Sequence, residues 1–310
     1  MRASRILLTL TASAAAAQRP TDVSICDYYT KALLKENTAE NQLTLLTLLV
    51  NTVVIGNYTA PNVGVKVPGI LAPGHVNGKA VNLLPYFNGQ LASTNTGGSH
   101  GESVNFLDGG GAAPLMKNKP ANDNMLTGGR PTFSFLLTHL YQFFGSLLSC
   151  TQQGMPGFPA YGGRASLYQV HKFMALDNAE LTYFIQQIAL AAQSFGVATS
   201  DIEIVGNALS SAFGMRCATP TTVIKAQGPQ LQAVCIESDC PLAKNAKCSL
   251  YEAVVEPCSK DNATAAMTLH NTKTPTGTQA IVAPTAGAVA VNGMNAVAVA
   301  AIAGAAAFAV

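Results

Sequence analysis

Apolar positions along the chain fall into a helical rhythm in five stretches. Over residues 22 to 56, "NTAENQLTLLTLLVNTVVIGN" sets Leu43, Leu46, Val50, Val53 and Val54 at three- and four-residue spacings, which predicts helix. Asn37 with Glu40 three later offers its capping start. In "TFSFLLTHLYQFFGSLLSC", Phe133, Leu136, Leu137, Leu140, Phe144 and Leu147 form a broad apolar stripe, the mark of a buried helix. After a turn at 153 to 163, Leu167, Val170, His171 and Met174 share one face of a short helix. Asp177 followed by Glu180 opens the next, which carries Leu181, Phe184, Ile185, Ile188 and Ala192 and ends at Gly196. Ser200 with Glu203 begins a last one through Ile202, Ile204, Val205, Leu209 and Phe213 to about Cys217. No strand pattern rivals these, so the expected fold class is mainly α.

Between the first and second stretches, residues 57 to 130 turn to Gly, Pro, Asn and Ser. That is a long insertion or series of loops, too long for a simple connector in a compact domain. Past the last helix, residues 218 to 258 form a cysteine-dense extension, and 259 to 285 are rich in Thr, Ala and Pro, the composition of an O-glycosylated stalk. Both ends read as processing signals. Residues 1 to 17 have two arginines, an apolar run from Ile6 and an Ala15-Ala16-Ala17 site, the layout of a secretory signal peptide. Residues 286 to 310 are small and apolar with a polar break at Asn292-Gly293-Met294-Asn295, which fits a lipid-anchor attachment signal. Ala286, Gly287 and Asn292 are candidate attachment residues.

Seven cysteines, at 26, 150, 217, 235, 240, 248 and 258, follow the cleavage point; in a secreted chain they read as disulfides, with one left over. At least two bridges are expected among the cysteines of 217 to 258, because a short polar extension buries too little apolar surface to order itself. Their connectivity stays open, and no spacing matches a zinc pattern. Sequons at Asn57 and Asn262 agree with an extracytoplasmic route. A net charge of +2 with 11% charged residues gives no basic surface for nucleic acid.

The helices place the stretch Gly157-Phe158-Pro159-Ala160-Tyr161, Gly163-Arg164, Leu167 and His171, followed by Leu181, Ile188, Phe195, Gly196 and Val197. It resembles the truncated haemoglobins, short globins with a two-over-two helical sandwich. Upstream, Phe87 in "LLPYFNG" looks like the family phenylalanine that packs on the haem, and Phe143-Phe144 like aromatics of its distal helix. The specific match covers residues 133 to 216; over 40 to 90 it is weaker. The interval from Tyr161 to His171 is one residue longer than the family's. Alignment puts Val54 where the family has a distal tyrosine and Leu140 where a glutamine often sits, which implies an apolar distal side.

The resemblance implies a haem cofactor with His171 as the metal ligand, and Phe87, His139, Leu140, Phe143, Phe144, Arg164, Leu167 and Met174 as cofactor-binding residues. A histidine on an apolar helix face is more often a core residue bonded to a carbonyl; it is the motif around it that points to iron. His139 and Arg164 are the candidates to meet propionates, and His139 is the alternative second axial ligand. His75, His100 and His270 sit in loop-like or stalk text. There is no Gly-x-Ser-x-Gly elbow, phosphate-binding loop or His-Glu-x-x-His, so whether the chain is an enzyme stays open. The expected function is an extracellular, lipid-anchored, haem-binding globin-like protein that takes a diatomic gas or supports haem redox chemistry. A haem-less structural or adhesive surface protein and a reversible haem carrier are the alternatives.

Overall fold

The computed structural model describes residues 18–60, 62–96, 98–119 and 133–257. The segments expected to be a leader, a stalk and an anchor signal, with Cys258, Asn262 and His270, lie outside them. The described residues are mainly helical, with eight helices and two small hairpins.

Residues 22 to 56 are two helices rather than one: α1 (Ile25–Leu34) and α2 (Ala39–Ile55). Lys35 takes a φ of 77°, a left-handed turn that stops α1. The cap of α2 is Thr38, whose hydroxyl accepts from Asn41 N, and not Asn37. Asn37 instead accepts from the Gln42 amide at 2.8 Å. Gln42, wholly buried, also donates to Asp27 at 2.7 Å and accepts from Gln152 N at 3.0 Å. One amide thereby joins α1, α2 and the turn after α5 (Phe133–Leu147). The disulfide Cys26–Cys150 closes the same junction, its cysteines 124 residues apart.

The long insertion is not structureless. It holds β1 (Gly74–Val76) paired antiparallel with β2 (Lys79–Val81), a one-turn α3 (Leu84–Phe87), a second antiparallel hairpin β3 (Thr94–Thr96) and β4 (His100–Glu102), a 3₁₀ turn at Phe106–Gly109 and α4 (Ala112–Leu115). Asn77 and Gly78, both at positive φ, make the tight reversal between β1 and β2. Directly after α2 the chain doubles back: Ile70 N donates to Val53 O and Leu71 N to Val54 O. This works only because Gly56 and Gly69 lie backbone to backbone. A Cβ on Gly69 would sit 2.4 Å from Gly56 N, and both glycines have positive φ.

The short helix is α6 (Leu167–His171), ending three residues before Met174. Met174 N donates to His171 O in the turn that follows, and Ala175 at positive φ redirects the chain into α7 (Asn178–Ser194). The α7 cap is a full box: Asp177 accepts from Glu180 N while Glu180 accepts from Asp177 N. The last helix, α8 (Thr199–Phe213), starts at Ala198 and not Ser200; no side chain caps it, and Ala198 N donates to the Tyr29 hydroxyl. α2 packs against α1, α5 and α7, and α7 against α8.

In the extension, Cys217–Cys248 and Cys235–Cys240 form two disulfides. Its backbone joins the helices: Val234 N and Cys235 N both donate to Phe213 O, and Ile236 N donates to Leu176 O.

Of the three bridges, Cys26–Cys150 closes the longest loop, 124 residues against 31 and 5. Replacing both cysteines by alanine is expected to lower the unfolding free energy by about 2–5 kcal/mol. Denaturant midpoints at unchanged m-value measure it, and a shift below about 0.5 kcal/mol, the range of a neutral surface change, contradicts it.

Candidate functional site

α6 is only one and a half turns long and is held from outside. Ser166 caps it by accepting from Gln169 N at 3.2 Å and donates in turn to Leu231 O at 2.6 Å. Leu167 N, without an intrahelical partner, donates to the Gln232 side chain at 3.1 Å. On the opposite side Asn95, in β3, donates to Gln169 O at 2.6 Å. At the end of this frame stands His171. Its Nδ1 lies 2.8 Å from Leu167 O, and since a carbonyl only accepts, Nδ1 carries the proton. Nε2 is then the ring's lone-pair nitrogen, and no group among the described residues is hydrogen-bonded to it. The ring sits deep in the fold with part of its surface uncovered. Desolvation pushes its pKa below the ordinary histidine value, outweighing the opposing pull of the Leu167 carbonyl. The result is a neutral imidazole with one oriented, unengaged nitrogen.

The other residues named from the sequence divide into groups. His139 and Phe143 on α5 meet around one ring, Tyr161: centroids lie 6.1 and 5.6 Å from it, both edge-on. Phe143 also touches Phe213 at 6.0 Å. Burial lowers the His139 pKa as well. Leu140 and Leu167 are half-buried against the core, as is Phe87, whose ring meets that of Phe106 at a tilt of 60° with centroids 6.5 Å apart. Met174 is buried, and its carbonyl accepts from the Tyr86 hydroxyl at 3.0 Å. Phe144 points elsewhere: it lines an apolar cavity of about 50 Å³ between α1, α2, α7 and α8. That volume is well under the roughly 300 Å³ of a small-molecule site. Arg164 is exposed, its carbonyl accepting from Tyr161.

The two aligned positions, Val54 in α2 and Leu140 in α5, differ in burial. Val54 is fully buried and Leu140 half-buried. Beside them Tyr141 donates to the wholly buried Asn51 at 2.5 Å, and Asn51 donates to Leu115 O at 3.3 Å. Sequence reasoning missed this pair because its members are 90 residues apart and each reads alone as an ordinary helix position.

A second concavity, of about 460 Å³, is polar and lined by Lys79, Tyr86, Asp177, Glu180, Glu237 and Asp239 among others. Its acids already have structural work. Asp177 and Glu180 form the α7 cap, and Lys79 bridges Asp177 and Asp239. Among the described residues no three His, Cys, Asp or Glu side chains converge to hold a metal ion. A porphyrin iron does not require that, since the macrocycle itself supplies four nitrogens and the protein one or two.

The lowered His171 pKa has a sign that can be checked. The unfolded chain takes up this proton first on acidification, so the folded protein loses stability as pH falls below about 6.5 toward the folded value. His171→Gln is expected to flatten that slope in denaturant melts between about pH 5 and 7. A ring that titrates at or above the ordinary range by NMR contradicts it. Comparison with family models, with curated proteins and with solved structures returns no match.

Proposed function

We propose that this chain is an extracellular, globin-like haem protein of the truncated type, with His171 as the protein ligand to the iron. The carrying observation is the state of His171: a neutral imidazole whose Nδ1 is fixed on the Leu167 carbonyl while Nε2 has no partner among the described residues. A proximal ligand needs that tautomer and orientation. Two further features favour the reading. α2 packs on α5 and α7 on α8, with α2 also against α7, and a two-over-two arrangement calls for two such helix pairs. Leu140, Leu167 and Phe87 present apolar surface that the protein leaves half covered, as residues flanking a flat apolar group do.

In this reading Leu140, Phe143, Phe87, Leu167 and Met174 exclude water, and His139 stands at the edge with its charge suppressed by burial. Haem would supply an iron that binds a diatomic gas and changes oxidation state. Arg164, exposed, would meet a propionate in this reading. Secretion and lipid anchoring belong to the same proposal. Three disulfides favour an oxidising compartment, and the sequon at Asn57 is exposed.

Titration of the purified full chain with haemin is expected to give a Soret band saturating at one haem per chain. His171→Ala should abolish stoichiometric binding, whereas His139→Ala should leave the ferric spectrum unchanged. Full retention in His171→Ala overturns the site. Absence of any band in the parent chain favours a structural surface protein.

A further inference from the structure

We propose that the C-terminal extension is a clamp that positions His171, and that a dithiol opens this clamp by reducing Cys217–Cys248. The consequence for haem rests on the function proposed above; the clamp itself does not.

The extension grips α6 at two points. At the N-terminal end Leu231 O accepts from Ser166 and Tyr168 N, while the Gln232 amide accepts from Leu167 N and donates to Ala165 O at 3.0 Å. At the C-terminal end Glu252 N donates to the Tyr168 hydroxyl at 2.8 Å, and the Tyr251 ring meets Tyr168 edge-on at 4.6 Å. Lys172, next to His171 and only 5% exposed, has its ammonium 2.6 Å from Glu252 Oε1. Removing a carboxylate from a buried ammonium is costly, and the chain that carries the ammonium loosens in response. Glu252 is therefore a positioning residue for the histidine one place before Lys172.

The two grips are secured differently. Residues 231 and 232 adjoin Cys235–Cys240, whose sulfurs are buried, at 0% and 3% residue exposure. Residues 251 and 252 follow Cys248, which is exposed, bridged to a partly exposed Cys217. Between them Leu242 and Leu250 lie open to solvent at 54% and 44%, so little apolar burial holds this stretch. The backbone ties are Arg216 N on Pro241 O and Ala243 N on Arg216 O before the loop, and Lys247 N on Cys217 O and the Tyr251 hydroxyl on Ala218 O beside Cys248. Cys26–Cys150 is buried like Cys235–Cys240. Among the described residues the one accessible disulfide is thus the one that fastens the grip beside His171.

In the opening step a thiolate of the dithiol attacks Cys248 Sγ, the S–S bond breaks, and Cys217 leaves as a thiolate that takes up a proton. The reagent's second thiolate then displaces Cys248, which is protonated in turn, and the reagent closes to a cyclic disulfide. Two electrons pass from reagent to protein.

The test uses the full chain and dithiothreitol at the lowest concentration that gives alkylation at Cys217 and Cys248; earlier alkylation at Cys26 or Cys235 overturns the proposal. Hydrogen exchange is then read by peptide. Peptides spanning 168 to 176 are expected to exchange about tenfold faster after reduction, with α7 unchanged. Glu252→Gln, with every disulfide intact, should give the same local rise, and Glu252→Asp should suppress it. An unchanged rate over 168 to 176, in the reduced chain or in Glu252→Gln, overturns the clamp. In haem-loaded protein, transfer to apomyoglobin should accelerate by about tenfold on reduction. A chain that takes up no haem yet shows the exchange response defeats the haem reading and supports the clamp; haem transfer indifferent to reduction overturns the link between them.

Discussion

α2 is enclosed by α1, α5 and α7, and ten of its seventeen residues are buried, four of them polar. Burial on that scale requires each polar group to find a partner inside the protein, because none can turn to water. Thr47 and Thr52 solve this locally by donating to Leu43 O and Leu48 O one turn back. Gln42 and Asn51 reach outward, and their reach organises the neighbours. Gln42 fixes α1 and the turn after α5, and Asn51 fixes Tyr141 in mid-α5 and the end of α4. The central helix thus sets the register of its surroundings through amides as much as through apolar contact.

The remaining surface of the helical core is dressed by segments that have little regular structure of their own. The insertion returns along the end of α2, where Gln187 and Tyr183 of α7 take Gly69 N and the carbonyls of Gly69 and Ala72. The extension runs from the end of α8 to α6. Such segments contribute few apolar side chains, so side chains of the helices satisfy their backbone groups and disulfides limit the freedom they have to lose.

The helices were legible because an apolar stripe leaves a periodic trace, and the Asp177–Glu180 box was legible because its two partners are three residues apart. The break at Lys35 left no such trace: neither glycine nor proline marks it, and the left-handed turn there is set by how α1 must meet α2. The hairpins of the insertion were hidden because strands of three residues carry no alternation to read. At the site, His171 stood out through the local pattern from Gly157 to Val197. Its frame did not, since Gln232 and Glu252 lie 65 and 80 or more residues from the groups they hold. Nor could sequence alone send Phe144 to one face of α5 and Phe143 to another with confidence in what each would meet there.

α6 has five residues, too few to nucleate as an isolated helix in water. Its hydrogen-bond partners lie at 95, before it in the chain, and at 231, 232 and 252, after it. During synthesis the segment bearing His171 therefore leaves the ribosome some eighty residues ahead of the groups that give it shape. The helices that make the core are complete by Phe213, so the scaffold can be assembled while the histidine still lacks a fixed direction. Orientation of that side chain follows assembly of the core, and truncation between Phe213 and Glu252 would leave the helices in place around an unfinished centre.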